Sequence, residues 1–165
     1  MAEEPDAAVG LDRFCLGFRD VMEQGRQLEQ GTIVVANRYV SANMGHQGGK
    51  FATRAERQAY FEWLDRYEYG VFGIPRPDAT LILHVPARLA QELVAQKAAR
   101  EYARGKSHDL HEEDVLHLEA AERTYLEMCG LFDGFELIEC APDGRMFSPE
   151  AVHELIWEQV RSVLK

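Results

Sequence analysis

The chain has 165 residues, 46% of them apolar, and a formal net charge of −10 at pH 7. That allows one domain with a real core. The acidic balance argues against a general nucleic-acid surface, because binding to a phosphate backbone is mainly electrostatic, and no apolar run approaches the length needed to span a membrane.

Residues 1–10 read as a disordered acidic terminus, unlike a signal peptide, and 11–165 as one domain. Cys15, Cys129 and Cys140 are isolated, with no CxxC pair. That pattern makes a reducing cytoplasm the default. A helix is expected over 12–29, with Phe14, Phe18 and Val21 on one face. Gly25 weakens it and Gly31 ends it. Thr32, Ile33, Val34, Val35 and Ala36 then read as a buried strand.

This strand is expected to open onto a dense polar loop running from Asn37 to Lys50. Ligands of α/β proteins bind where strands end at their carboxyl side. Arg38 stands there, and its planar fork suits an anion, above all a phosphate; the alternative is a surface ion pair. Asn43 and Gln47 suit the hydrogen-bonding edge of a base, or else stabilise the loop. His46 either stacks on a ligand or packs locally. The segment from Gly45 to Lys50 is not a Walker A loop. Phe51 occupies the place of the needed serine or threonine, and GxxxxGK[ST] occurs nowhere in the chain.

A helix follows over 54–69, with Phe61, Leu64 and Glu68 at helical spacing and Tyr60, Trp63 and Tyr67 beside them. Such crowding of rings belongs to a core or interface, or lines a ligand cleft. Residues 70–78 form a turn-rich linker. A second buried strand is expected over 80–85, and Pro86 begins the next helix with Leu89 and Leu93 on its buried face. Lys97, Arg100 and Arg104 recur at i, i+3 and i+7 and put positive charge along one side; Gly105 breaks the run. They can neutralise a transferring phosphoryl group, or form a solvated face with Glu92 and Glu101.

Asp109 caps a further helix, with Glu112 as reciprocal partner, carrying Val115, Leu118, Ala121, Tyr125 and Met128 and ending at Gly130 to Gly134. A third strand is expected over 135–140 and a turn over 141–145. Ser148, Pro149 and Glu150 open the last helix, whose buried stripe is Val152, Leu155, Ile156, Val160 and Val163. His108, Asp109, His111, Glu112 and His117 match no specific zinc pattern. Cys129 and Cys140 read as packing residues. Helices alternating with short apolar strands argue for a parallel α/β sandwich.

The segment from Asn37 to Lys50 resembles the loop D-R-Y-x-x-S-N-x-A-x-Q-G of bacterial and archaeal thymidylate kinases. The likeness continues through Ile74-Pro75-Arg76-Pro77-Asp78, the boundary Leu83-His84-Val85-Pro86, Asp109-Leu110-His111-Glu112, and Tyr125. In order, these cover most of 28–163. The resemblance implies a P-loop nucleoside monophosphate kinase-like three-layer sandwich with a parallel sheet, here without the amino-terminal P-loop strand. It also implies transfer of the terminal phosphoryl group of ATP to dTMP, with Mg²⁺ accompanying ATP, and a homodimer. By resemblance, Arg38 holds the acceptor phosphate, and Tyr39, Asn43, His46 and Gln47 line the acceptor site, with Gln47 at thymine. Lys97, Arg100 and Arg104 act on the transferring phosphate from a lid-like region at about 96–109; Arg100 and Arg104 also contact ATP. The chain departs from the pattern at Asn37, where the family has aspartate, and at Ala42, where it has serine. Without Walker A, the alternative is a non-catalytic nucleotide-binding or scaffold protein derived from the same fold.

Overall fold

The computed structural model describes residues 25–102 and 113–164, with side-chain surroundings described for all of these except 97–102 and 113–114. The expected helix over 12–29 therefore lies mostly outside the described residues, as do Cys15, Arg104, and the Asp109–Glu112 cap. Its end is seen. Residues 25–29 are helical, and Gly31, at φ +76°, turns the chain out of the helix. The amide of Thr32 donates to Gln27 O and that of Gly31 to Leu28 O, the paired bonds of a glycine C-cap.

The elements then run in order: α1 Val40–Gly48, α2 Arg54–Asp65 continuing as a π-helical stretch Arg66–Val71, β1 Thr80–His84, α3 Ala87–Tyr102, α4 Glu113–Leu131, β2 Phe135–Glu139, a single 3₁₀ turn Pro142–Gly144, and α5 Pro149–Val163. β1 and β2 form a parallel two-stranded sheet, with Thr80 opposite Phe135 and His84 opposite Glu139. The result is an α/β fold with a small parallel sheet and surrounding helices. Parallel neighbours need a long crossover, which passes here through α3 and α4. The core gathers Val40 and Met44 of α1, Phe61 and Leu64 of α2, Ile74, and Met128 of α4, with Tyr39, Tyr69, Tyr125, Phe132 and Phe135 packed against it.

Three expectations are corrected. Residues 32–36 form no strand: Val35 is 91% exposed and Ile33 67%. A parallel strand is stabilised by its ladder and by cover on both faces. The sheet of β1 and β2 does not extend to 32–36, which have no ladder partner among the described residues. The polar loop after them is instead largely helical, as α1. The stripe of α5 is at best half-buried, with Val163 exposed, because α5 packs on β2, a sheet too narrow to cover it. Its start is as expected: Ser148 Oγ accepts from the Ala151 amide at 3.2 Å, with Pro149 in the first turn.

Candidate functional site

α1 is a helix of low intrinsic propensity, with Gly45 and Gly48 inside it. Packing against α4 holds it. A Cβ on Gly45 would overlap the Tyr125 ring, and one on Gly48 would come within 2.7 Å of both Phe61 Cε1 and Thr124 Cγ2. The two glycines therefore let the α1 backbone settle directly onto α4 and α2. Val40 and Met44 fill the remaining space on that side. Tyr39, just before the helix, donates its hydroxyl to Pro75 O at 2.9 Å and packs its ring 6.5 Å from that of Tyr69. Arg76 covers the Tyr69 ring at 4.1 Å while gripping Asp65 through Nη1 and Nη2 at 2.7 and 2.9 Å. Burial and the neighbouring Tyr39 push the Tyr69 hydroxyl well above the usual tyrosine range.

Arg38 sits at the mouth of this arrangement. Its side chain is exposed and its φ is +72°. A left-handed conformation at a residue with a long side chain costs on the order of 1 kcal/mol, and such strain gathers at functional sites. The Arg38 charge acts on two neighbours, His46 and Tyr125. His46 is stacked on His117 of α4, centroids 5.8 Å apart and planes 11° from parallel, and meets the Tyr125 ring edge-on at 6.1 Å. Burial, then the charges of Arg38 and His117, hold His46 below the usual histidine range. Burial raises the Tyr125 hydroxyl, with Arg38 opposing.

Asn43 and Gln47 are four apart on α1, on one exposed side. Asn43 Oδ1 accepts from the Tyr60 hydroxyl at 3.4 Å. Behind Tyr60 runs a line of rings: Phe51 at 5.1 Å, Trp63 at 6.1 Å, and Tyr67 4.9 Å beyond Trp63. Trp63 and Tyr67 are exposed, whereas Phe61 on the other side of α2 is fully buried. The helix thus divides its aromatic residues between core and surface. Asn43, His46 and Gln47 lie on α1, and Arg38 stands two residues before it. Lys97 and Arg100 lie on α3, and their side chains fall outside the description.

Sequence reading missed two clusters. Arg57, buried to 4% exposure, donates through Nε and Nη2 to Glu127 at 2.7 Å each, and through Nη1 to Phe51 O at 2.9 Å and Ala52 O at 3.2 Å. It ties the end of the α1 segment, α2 and α4 together. Arg57 and Glu127 are 70 residues apart, and no local pattern announces their pairing. The second cluster is at the carboxyl end of the sheet. His84 Nδ1 meets Glu139 at 2.7 Å and Nε2 meets Glu122 at 2.8 Å, while Glu122 accepts from the Ala87 amide at 2.9 Å. Burial disfavours the imidazolium, but the bonds to Glu122 and Glu139 outweigh it and raise the His84 pKa. An open groove of about 480 Å³ lies along α4 between Arg54, Arg123, Glu119, Glu122 and Glu127, and shares no lining residue with the Arg38 cluster. Among the described residues, no group of three or more His, Cys, Asp or Glu side chains could hold a metal ion. No described helix is long and apolar enough to cross a membrane.

Over 96 residues the chain is 29% identical to thymidylate kinase of Mycobacterium tuberculosis, in both strain CDC 1551 and strain H37Rv, an alignment covering 58% of this chain and 44% of that protein. Over 85 residues it is 33% identical to thymidylate kinase of a Marinomonas species, covering 52% of this chain and 37% of that protein. The chain thus spans less than half the length of the curated relatives it matches. No protein-family model matches it, and no solved structure matches it. The partial likeness supports a place in the kinase superfamily.

Proposed function

We propose that this chain is a thymidylate kinase-like protein whose α1 segment forms the acceptor side of a nucleotide site. In this reading Arg38 holds the phosphate of a nucleoside monophosphate, dTMP in the family reaction. Asn43 and Gln47 meet sugar and base from the exposed side of α1, with Gln47 at thymine, and His46 borders the phosphate. The observation that carries the reading is the placement of Arg38: exposed, left-handed, and acting electrostatically on a buried-edge His46–Tyr125 pair. Tyr39 serves by anchoring that turn through Pro75. The partial identity to thymidylate kinases supports the choice of acceptor.

Phosphoryl transfer is catalysed largely by positioning and charge neutralisation. Arg38 supplies the first at the acceptor phosphate. Lys97, Arg100 and Arg104, in a lid over about 96–109, supply the second, with Arg100 and Arg104 also touching ATP. Mg²⁺ arrives bound to ATP. The 165 residues contain no Walker A sequence, so in this reading another segment of the fold or of its assembly cradles the β- and γ-phosphates. A three-layer sandwich with an added strand beside 32–36, a homodimer and a cytoplasmic setting complete the reading.

The test is ATP- and Mg²⁺-dependent conversion of dTMP to dTDP by this chain, with other nucleoside monophosphates as controls. Selective turnover that is lost in Arg38→Ala supports the kinase. The exposed run at 32–36 favours a second reading, a nucleotide-binding protein without turnover. Saturable dTMP binding with no dTDP formed selects it. A folded chain that binds no nucleotide overturns both.

A further inference from the structure

We propose that His46 and His117 form a proton-linked anion site with Arg38, so that a phosphate-type dianion binds together with a proton taken up on the imidazole pair. The inference rests on the reading of Arg38 as the phosphate-holding residue and adds regulation by pH to it. The geometry is an interhelical stack, α1 against α4, with ring centroids 5.8 Å apart and planes 11° from parallel. Gly45 fixes it, because only a glycine lets α1 approach Tyr125 closely enough for His46 to meet both rings.

The groups facing His46 come from three directions. Arg38 precedes α1, and His117 and Tyr125 belong to α4; on the α2 side, Tyr60 meets Asn43, one turn earlier on α1. The charges that act on His46, those of Arg38 and His117, are both positive and both oppose its protonation. An anion placed among them reverses that balance, since an opposite charge nearby favours the charged imidazole. Binding and protonation then reinforce each other, as linkage requires in both directions. The empty site disfavours the His46 imidazolium, and a bound anion favours it. Anion affinity is therefore greatest at low pH and falls as pH rises between the midpoints of the empty and filled states, by up to about tenfold per pH unit for one linked proton.

Sulfate is the probe, because it stays a dianion across the histidine range and contributes no proton of its own. The imidazole resonances of His46 and His117 are followed by NMR against pH, with sulfate and with chloride at matched ionic strength. The expected result is an upward move of the His46 midpoint in sulfate alone. Sulfate affinity should weaken with rising pH over the same interval. Arg38→Ala should abolish the move. His117→Gln, at an exposed position, should leave the fold intact and flatten the pH dependence of sulfate affinity. An unmoved His46 midpoint in saturating sulfate overturns the proposal, as does sulfate affinity that is flat with pH, or a move of equal size in chloride. Repeating the titration with dTMP separates the two readings. If dTMP binds no more tightly than sulfate, the nucleotide assignment fails while the proton linkage stands.

Discussion

Residues 32–36 and β1 are two apolar runs of five residues, and they meet opposite fates. β1 has a neighbour: β2 pairs with it along its whole length, and His84 at its end is clasped by Glu139 and Glu122. Residues 32–36 have no ladder among the described residues, and Val35 stands almost fully in solvent. Yet the segment that follows 32–36 is held by helix packing. α1 rests on α4 through Gly45 and Gly48, and Arg57 pins the turn after it. The difference teaches that the candidate site does not hang from a sheet edge here. It is held from the side, by α4 and α2, and its integrity depends on contacts distant from the run that leads into it.

Glu127→Ala should break the comparison most strongly. It leaves the buried Arg57 without its carboxylate, and removing one partner of a buried pair costs about 3–5 kcal/mol. Denaturant unfolding measures the loss, and replacing Arg57 by Met in the same chain should recover part of it. The two runs themselves are contrasted by Ile138→Ala, in β2, and Val35→Ala. Ile138 is 4% exposed, and truncating a buried isoleucine costs about 2–5 kcal/mol. Val35→Ala should stay within about 0.5 kcal/mol, as exposed substitutions do. A comparable loss at Val35 would mean that 32–36 is covered in solution. Gly45→Ala forces a methyl group into the Tyr125 ring and should cost about 1–3 kcal/mol by overpacking. Its unfolding midpoint should recover in part when Tyr125 is also truncated to alanine.

The smallest effect is the pH dependence of the β1 clasp. The folded pKa of His84 is raised. Its contribution is thus complete below the unfolded histidine value, about 6.5, and is lost as pH rises through the higher folded value. Urea midpoints taken upward from pH 6 should fall across that window, and Glu139→Gln should flatten the fall.

The fold was partly legible in the sequence. Leu81, Ile82 and Leu83 are followed by Pro86 and an apolar-periodic helix, and that succession marked β1 and α3. Ser148 and Pro149 marked the start of α5. Thr53 and Glu56 carry an equally local signature, since their side chains and amides form a reciprocal capping box at α2. α1 was illegible as a helix because its glycines look like breakers; their use is close approach, Gly45 to Tyr125 and Gly48 to Phe61 and Thr124, residues distant in sequence. The strand at 32–36 was misread because an apolar run shows only that a segment suits a sheet. Whether a neighbour lies beside it is a tertiary matter. At the site, Arg38, Asn43, His46 and Gln47 were legible as residue types on one segment. The stacking of His46 on His117 was not, because it joins two helices.

The line of rings behind Asn43 also gives the molecule an optical handle. The chain has two tryptophans, Trp157 on α5 and Trp63, which stacks on Tyr60 while Tyr60 bonds to Asn43. With Trp157 replaced by phenylalanine, the emission of the chain comes from one indole in van der Waals succession with the exposed side of α1. In the proposed reading, a base arriving at Asn43 should displace the Tyr60 hydroxyl from its amide and alter the stack on Trp63. Quenching or a spectral shift of that single fluorophore then reports occupancy directly, without label or coupled enzyme.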